Sequence, residues 1–150
     1  MGLKTTGTVL SLCFLFLAQF AAGYEKDLNL LSIKMSREVV RQEKKRVAVA
    51  DFTAEDGRAL KAGTFLADEL ARLFSEKGKK YEAADSGFEM VERIMMQKYT
   101  LISGGSFNIP ALKKLREETK ADALVMGFLN SSKGFPVLNL RILDLNTGKT

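Results

Sequence analysis

Three carboxylates fall close together in the first half of the chain. Asp51 ends an apolar run, and Glu55 and Asp56 follow in the polar stretch Thr53-Ala54-Glu55-Asp56-Gly57-Arg58. Hard divalent cations take oxygen ligands of this kind. A residue at the carboxyl end of a parallel strand also sits where open α/β sheets bind their ligands. Asp51, Glu55 and Asp56 are therefore the candidates for contact with a small ligand or metal. Their spacing lacks the ordered Asp-x-Asp-x-Asp of a calcium loop. The plainer expectation is that Asp51 caps the loop or the next helix and that the other two are solvated. Ser103-Gly104-Gly105-Ser106 precedes a helical segment, where free N–H groups could hold an anion. No phosphate-loop sequence and no G-x-G-x-x-G follows a strand, and Asn108 is placed to cap that helix instead.

Other chemistry is excluded by residue type. The 150 residues include no His and one Cys, Cys13. There is then no imidazole base, no Ser–His or Cys–His pair and no His-ligated metal. An internal disulfide or a Cys-based zinc site is equally excluded. No residue is assigned a catalytic, cofactor or metal role and no cofactor is implied; a hydrolase or kinase is disfavoured, since no nucleophile–base pair or phosphate loop is present.

Charge gives a weaker indication. Lys and Arg number 23 against 18 Asp and Glu, a formal net charge of +5. Three basic groups stand out: Lys44-Lys45-Arg46, Lys77-Lys79-Lys80 and Lys113-Lys114-Arg116. Together they could meet an anionic membrane or cell-wall surface. The first two also lie where a helix dipole favours cations. No nucleic-acid recognition module is visible, so nucleic acid is not an expected partner.

Residues 1–23, MGLKTTGTVLSLCFLFLAQFAAG, have the layout of a secretory signal. Lys4 supplies positive charge, Val9 to Phe20 is almost wholly apolar, and Ala21-Ala22-Gly23 supplies small residues before the first acid, Glu25. The apolar run is about a dozen residues, short of the roughly 20 that span a bilayer core. Cleavage is expected after Gly23, with retention as a membrane anchor the alternative. Cleavage would remove the lone Cys and leave 24–150 as a single domain held by core packing alone. The expected location is the periplasm or the periplasmic face of the outer membrane.

Periodicity organises the remainder. Leu28, Leu31, Met35 and Val39 recur at helical spacing within 27–45, and Leu66, Leu70, Leu73 and Phe74 within 60–77, where Gly78 is placed to end the helix. Val47–Phe52, apolar but for Asp51, and the nearly all-apolar Ala123–Leu129 are short runs that predict buried strands. Tyr81–Asp85 is a weaker strand candidate, followed by a helix from Asp85 or Ser86 to about Lys98. In that helix Met90, Met95 and Met96 would fill core space. A further helix is expected from the Asn108 cap, with Pro110 in its first turn. Val137–Leu145 mixes apolar residues with Asn139, Arg141 and Asp144, predicting a strand with one wet face. It follows a turn at Ser131–Gly134 and ends at the turn Asn146-Thr147-Gly148-Lys149. The resulting fold class is α/β. A mixed sheet is expected in two or three layers, mostly parallel, with a C-terminal antiparallel hairpin strand and helices packed on it.

Five segments resemble, as an ordered set, the FlgO-like domain family. More distantly they resemble the periplasmic domain of the CsgG curli-secretion family. They are Arg46-Val47-Ala48-Val49-Ala50-Asp51-Phe52, the helix ending Leu70-Ala71-Arg72-Leu73, Leu101-Ile102-Ser103-Gly104, Ala121–Gly127, and Arg141–Gly148. The set covers about 46–150. The triplet Val91-Glu92-Arg93 looks like the end of the family's second strand, which would move that strand to Phe88–Arg93. The resemblance implies a non-enzymatic envelope protein that assists a surface structure, a flagellum or a secretion apparatus, by contact with other envelope proteins. A regulator of a periplasmic cell-wall synthase is the alternative within the same fold group. The edge beyond the last strand, with Arg141, Leu143 and Leu145, is the expected contact, because an open edge offers backbone donors and acceptors. Oligomeric state is not specified by any of these features.

Overall fold

The computed structural model describes residues 10–13, 23–82, 87–94, 99, 101–103, 106–132 and 135–148. Val47-Ala48-Val49 and Leu124-Val125-Met126 are apolar at every position, so neither strand can show a face to water. They lie side by side at the centre of a five-stranded sheet. Strand β1 is Leu10–Cys13, helix α1 Gly23–Arg41, strand β2 Arg46–Thr53, helix α2 Lys61–Glu82 and strand β3 Glu89–Ile94. Strands β4 (Ile102–Ser103) and β5 (Ser106–Phe107) form a small separate ladder. Helix α3 is Ile109–Thr119, and strands β6 (Ala123–Ser132) and β7 (Phe135–Asp144) complete the chain. The sheet order is β1-β7-β6-β2-β3. Strand β2 runs parallel to both of its neighbours, and the β6–β7 and β7–β1 pairs are antiparallel. The mixed α/β sheet expected from the residue pattern is the observed one, with three layers.

Alternation along β2 assigns the layers up to Ala50, and a register shift against β6 between Val49 and Phe52 brings Phe52 to the side of Val47 and Val49. Val47, Val49 and Phe52 join Leu28, Leu31, Met35 and Val39 of α1 and Leu66, Leu70 and Phe74 of α2 in one core. Ala48 and Ala50 face the other way, toward Leu112 and Leu115 of α3 and toward Leu101, Leu124 and Met126. Helix α3 starts as its residues require. The Asn108 side chain accepts a bond from the Ala111 N–H, and Pro110 lies in the first turn. Lys120 closes it with φ +60°.

Helix α2 differs from its expected end. Gly78 lies inside it, and the helix continues to Glu82. Its glycine is used for closeness rather than for termination. A Cβ at position 78 would overlap the Phe88 carbonyl oxygen, and one at Gly63 would overlap that of Phe52. The helix therefore rests directly on backbone at both points. The strand expected at Tyr81–Asp85 is corrected by this extension: Tyr81 and Glu82 are helical, and 83–85 lie outside the described residues. The helix expected from Asp85 or Ser86 to Lys98 is also corrected, because Glu89–Ile94 pairs with β2 as a strand. The alternative drawn from Val91-Glu92-Arg93 places it better. Met90 packs at the margin of the α1/α2 core, and Met95 and Met96 lie outside the described residues.

The expected wet face of the last strand is half covered. Leu138, Leu140 and Ile142 enter the α1/α2 core, and Leu143 with Leu145 enters the α3 core. Asn139 and Arg141, at the other end of the α3 face, and Asp144, at the strand's end, remain partly open. Within the expected leader, Leu10–Cys13 pairs with Val137–Leu140 of β7. The rest of 1–22 lies outside the described residues, as do Gly104, Gly105, Lys133, Gly134 and Lys149. Among the described residues no helix is long and apolar enough to cross a membrane.

Gly63→Ala, which in an ordinary helix would be neutral or stabilising, is expected to lower unfolding free energy by about 2 kcal/mol or more, because the added methyl meets backbone that cannot move aside. Urea denaturation of this variant beside Ala62→Ser, a change away from that contact, measures the difference.

Candidate functional site

The carboxyl ends of β2 and β6 open onto two clefts that share one residue, Glu55. The loop after β2 turns tightly. The Ala54 N–H donates to the Arg58 carbonyl at 2.9 Å, and the Gly57 N–H donates to the Ala54 carbonyl at 2.9 Å. Gly57 takes φ +86°, a conformation that disfavours a side chain. The Arg58 N–H donates to the Asp56 carboxylate at 3.0 Å, and Thr53 forms an isolated bridge with Ala59. The loop thus projects Glu55 toward β6, where the Asn130 amide donates to its Oε1 at 2.8 Å. This Glu55–Asn130 bond lies where the clefts adjoin.

The first cleft holds about 750 Å³. Leu60, Ala62, Leu66 and Leu129 form its apolar wall, with Asp56, Arg58 and Lys61 among the charged groups that line it. The second holds about 500 Å³ between the sheet and the β4–β5 ladder. Its apolar lining is Ile102, Phe107 and Phe128. Its polar lining is Ser106, Asn139, Arg141 and Glu55. Both volumes fall in the range of small-molecule sites.

The three sequence-predicted acids are not brought together. Asp51 is buried on β2 and pairs with Arg93 of β3. Arg93 also meets Asp68 of α2 at 2.9 Å and donates to the Ile94 carbonyl at 2.7 Å. A half-enclosed guanidinium with several acceptors joins β2, β3 and α2. Asp51 is a structural ion-pair partner, which the plainer capping expectation does not describe. Asp56 stays in its own turn and Glu55 faces Asn130. Among the described residues no group of three His, Cys, Asp or Glu side chains is placed to hold a metal ion.

Of the residues expected at a contact edge, Leu143 and Leu145 have their side chains in the α3 core, so any contact there involves backbone. β1 flanks β7 only over Val137–Leu140. Among the described residues no strand pairs with Arg141–Asp144 on that side. Arg141 instead lines the second cleft. Phe107, Phe128, Asn130 and Asn139 were not among the sequence candidates. The signal available for them was the interruption of the last strand by Asn139 and Arg141, two residues apart and hence on one face.

The basic groups are spread out. Lys44 pairs with Asp144 at 2.7 Å and Arg46 with Glu89 at 2.9 Å. Lys113 and Lys114 face Glu117 and Glu118 one helical turn on, at 4.0 and 3.9 Å. Lys77 lies on α2, and the side chains of 79 and 80 fall outside the described residues. Lys113, Arg116 and Lys120 do share a depression at the amino end of β6, but Glu117 and Asp122 lie in it too. At the same end of the sheet Asp122 accepts the Lys45 and Arg46 N–H groups, at 2.9 and 3.1 Å.

Asp144 closes β7. Burial pushes its carboxyl up, but Lys44 and the N–H groups of Asn146 and Thr147 outweigh this and hold it below the ordinary carboxylate value. Comparison of the chain with family models, curated proteins and solved structures finds no match.

These charges lead to two expected outcomes. Asp51→Asn is expected to cost about 2 kcal/mol, since it leaves a half-buried guanidinium short of its counter-charge, while millimolar calcium or magnesium leaves the parent's melting temperature unchanged. Differential scanning calorimetry reads both. For Asp144, a lowered native pKa contributes stability that is present above about pH 4 and lost as pH falls through the native value. Asp144→Asn should therefore lose less stability than the parent between neutral pH and about pH 3 in urea titrations.

Proposed function

We propose that the chain is an exported, non-enzymatic envelope protein of the FlgO-like type, acting by protein–protein contact in the assembly of a surface structure. The observation that carries the contact is the strand Leu10–Cys13 lying along β7. This segment belongs to the leader-like residues 1–23. Cleavage after Gly23 would strip it away and leave the Val137–Leu140 edge without that neighbour. An edge that accepts a strand from its own leader has the geometry to accept one from a partner.

The family reading draws support from how the motif residues engage one another. Asp51, from Val47-Ala48-Val49-Ala50-Asp51-Phe52, pairs with Arg93 of Val91-Glu92-Arg93. The Phe52 ring occupies the space that a side chain at Gly127, the end of Ala121–Gly127, would need. Asp144 of Arg141–Gly148 accepts the turn N–H groups of Asn146 and Thr147, at 2.8 and 3.2 Å, and Gly148 takes φ +70°. Short apolar motifs are individually commonplace. A set whose polar and glycine members serve each other is more specific than its parts.

Fractionation of cells expressing the full chain tests export. The expected result is a product in the envelope fraction whose intact mass lacks residues 1–23. Full-length protein confined to the cytosol would contradict the proposal. Crosslinking and pull-down from that envelope fraction should recover flagellar or secretion components. Recovery of a wall synthase in their place would transfer the contact to the alternative partner.

A further inference from the structure

Asp51 and Asp144 are each paired with a cation from another part of the domain, whereas the Arg141 Nε has no acceptor. That nitrogen is buried, and among the described residues no carboxylate pairs with the guanidinium. Burial without an acceptor is costly for a charged donor. The group is nonetheless held in place: it lies over the Phe128 ring, 5.4 Å from the centroid, an arrangement that fixes the plane of a guanidinium. Beneath the β4–β5 ladder it lines the second cleft, of about 500 Å³.

We propose that this cleft binds a single carboxylate carried on a small apolar body, with Arg141 as the residue that recognises the anion. A planar guanidinium fork matches a carboxylate in two parallel hydrogen bonds. The Asn139 amide and Ser106 hydroxyl, in the same lining, add neutral donors. Ile102, Phe107 and Phe128 supply the surface for the apolar body. Glu55 sets the charge limit. Among the described residues one cation and one anion line the cleft, so a monoanion is accepted, whereas a phosphate dianion would meet Glu55 with no second described cation to offset its further charge. Two sources offer such a carboxylate, a free organic acid and the C-terminus of a peptide. Recognition at this cleft does not depend on where the protein resides.

The test titrates the full chain, followed by NMR shifts and calorimetry, with N-acetylphenylalanine and with a short peptide ending in Phe. Each is used as the acid and as the carboxamide. At least one acid should bind at millimolar concentration or better, shifting Phe107, Phe128 and Asn139, with its amide about tenfold weaker or worse. Binding by the free acid alone, or by the peptide alone, supports the site and identifies its source. Arg141→Gln should weaken binding at least about tenfold at an unchanged melting temperature. Arg141→Lys, which keeps the charge and loses the fork, should weaken it less. Glu55→Gln should tighten it. Acid and amide binding alike, no acid binding, or full affinity in Arg141→Gln would each overturn the proposal. The acid–amide comparison on the parent needs no variant to fold.

Discussion

The seat of Phe52 is the constraint on which the rest of the molecule depends. Its ring fills the space that position 127 leaves by having no side chain, and its carbonyl lies against the equally bare Gly63. Two strands and a helix meet at this one residue. The ring sets how β2 lies against β6, and the carbonyl sets how closely α2 approaches the sheet. Side-chain bulk at either glycine would push two layers apart. Gly78 repeats the arrangement against Phe88 near the other end of α2. The helix is thus pinned at both ends to backbone, which is stiffer than any side-chain contact.

The seat of Phe52 also places the loop that leaves it. The chain departs from the sheet at Thr53 and turns through Gly57, and Glu55 arrives opposite Asn130 because β2 and β6 stay paired in parallel as far as Thr53 and Phe128, across a one-residue register shift between Val49 and Phe52. The second cleft exists because α3 and the β4–β5 ladder cover only part of the sheet face on their side, whereas the first lies on the α2 side, against Leu60, Leu66 and Leu129. Where α3 covers the end of β7 and the residue just past it, the side chains are Leu143 and Leu145. Where it does not they are Asn139 and Arg141. Charge elsewhere is used for joining: Arg93 ties β3 to β2 and α2, and Lys44 ties the start of β2 to the end of β7. Arg141 does not take part in such joining, which is why it carries the ligand inference.

Much of the architecture is legible in the residue order, for identifiable reasons. The central strands are readable because nearly all-apolar runs of that length have few other places to go. The Asn108 cap and Pro110 mark the start of α3 because both act locally. The end of α2 is less legible, since Gly78 has one sequence meaning as a terminator and another as a close-approach residue, and only the position of Phe88 decides between them. The strand Glu89–Ile94 is obscured by its mixture of charged and apolar residues, as Arg93 is charged yet half-buried by partners distant in sequence. The candidate acids illustrate the same limit. Asp51, Glu55 and Asp56 are neighbours in the chain, but a sheet face, a loop apex and a turn send them to different partners. The second cleft depends on what α3 leaves uncovered, a tertiary property with no local signature.

The most direct test of this packing is the proton NMR environment of Gly127. If the Phe52 ring lies over its α-carbon, one Gly127 Hα is shifted strongly upfield by the ring current and shows nuclear Overhauser contacts to the Phe52 ring protons. An unshifted Gly127 without those contacts would contradict the arrangement from which the sheet, the helix placement and both clefts have been derived.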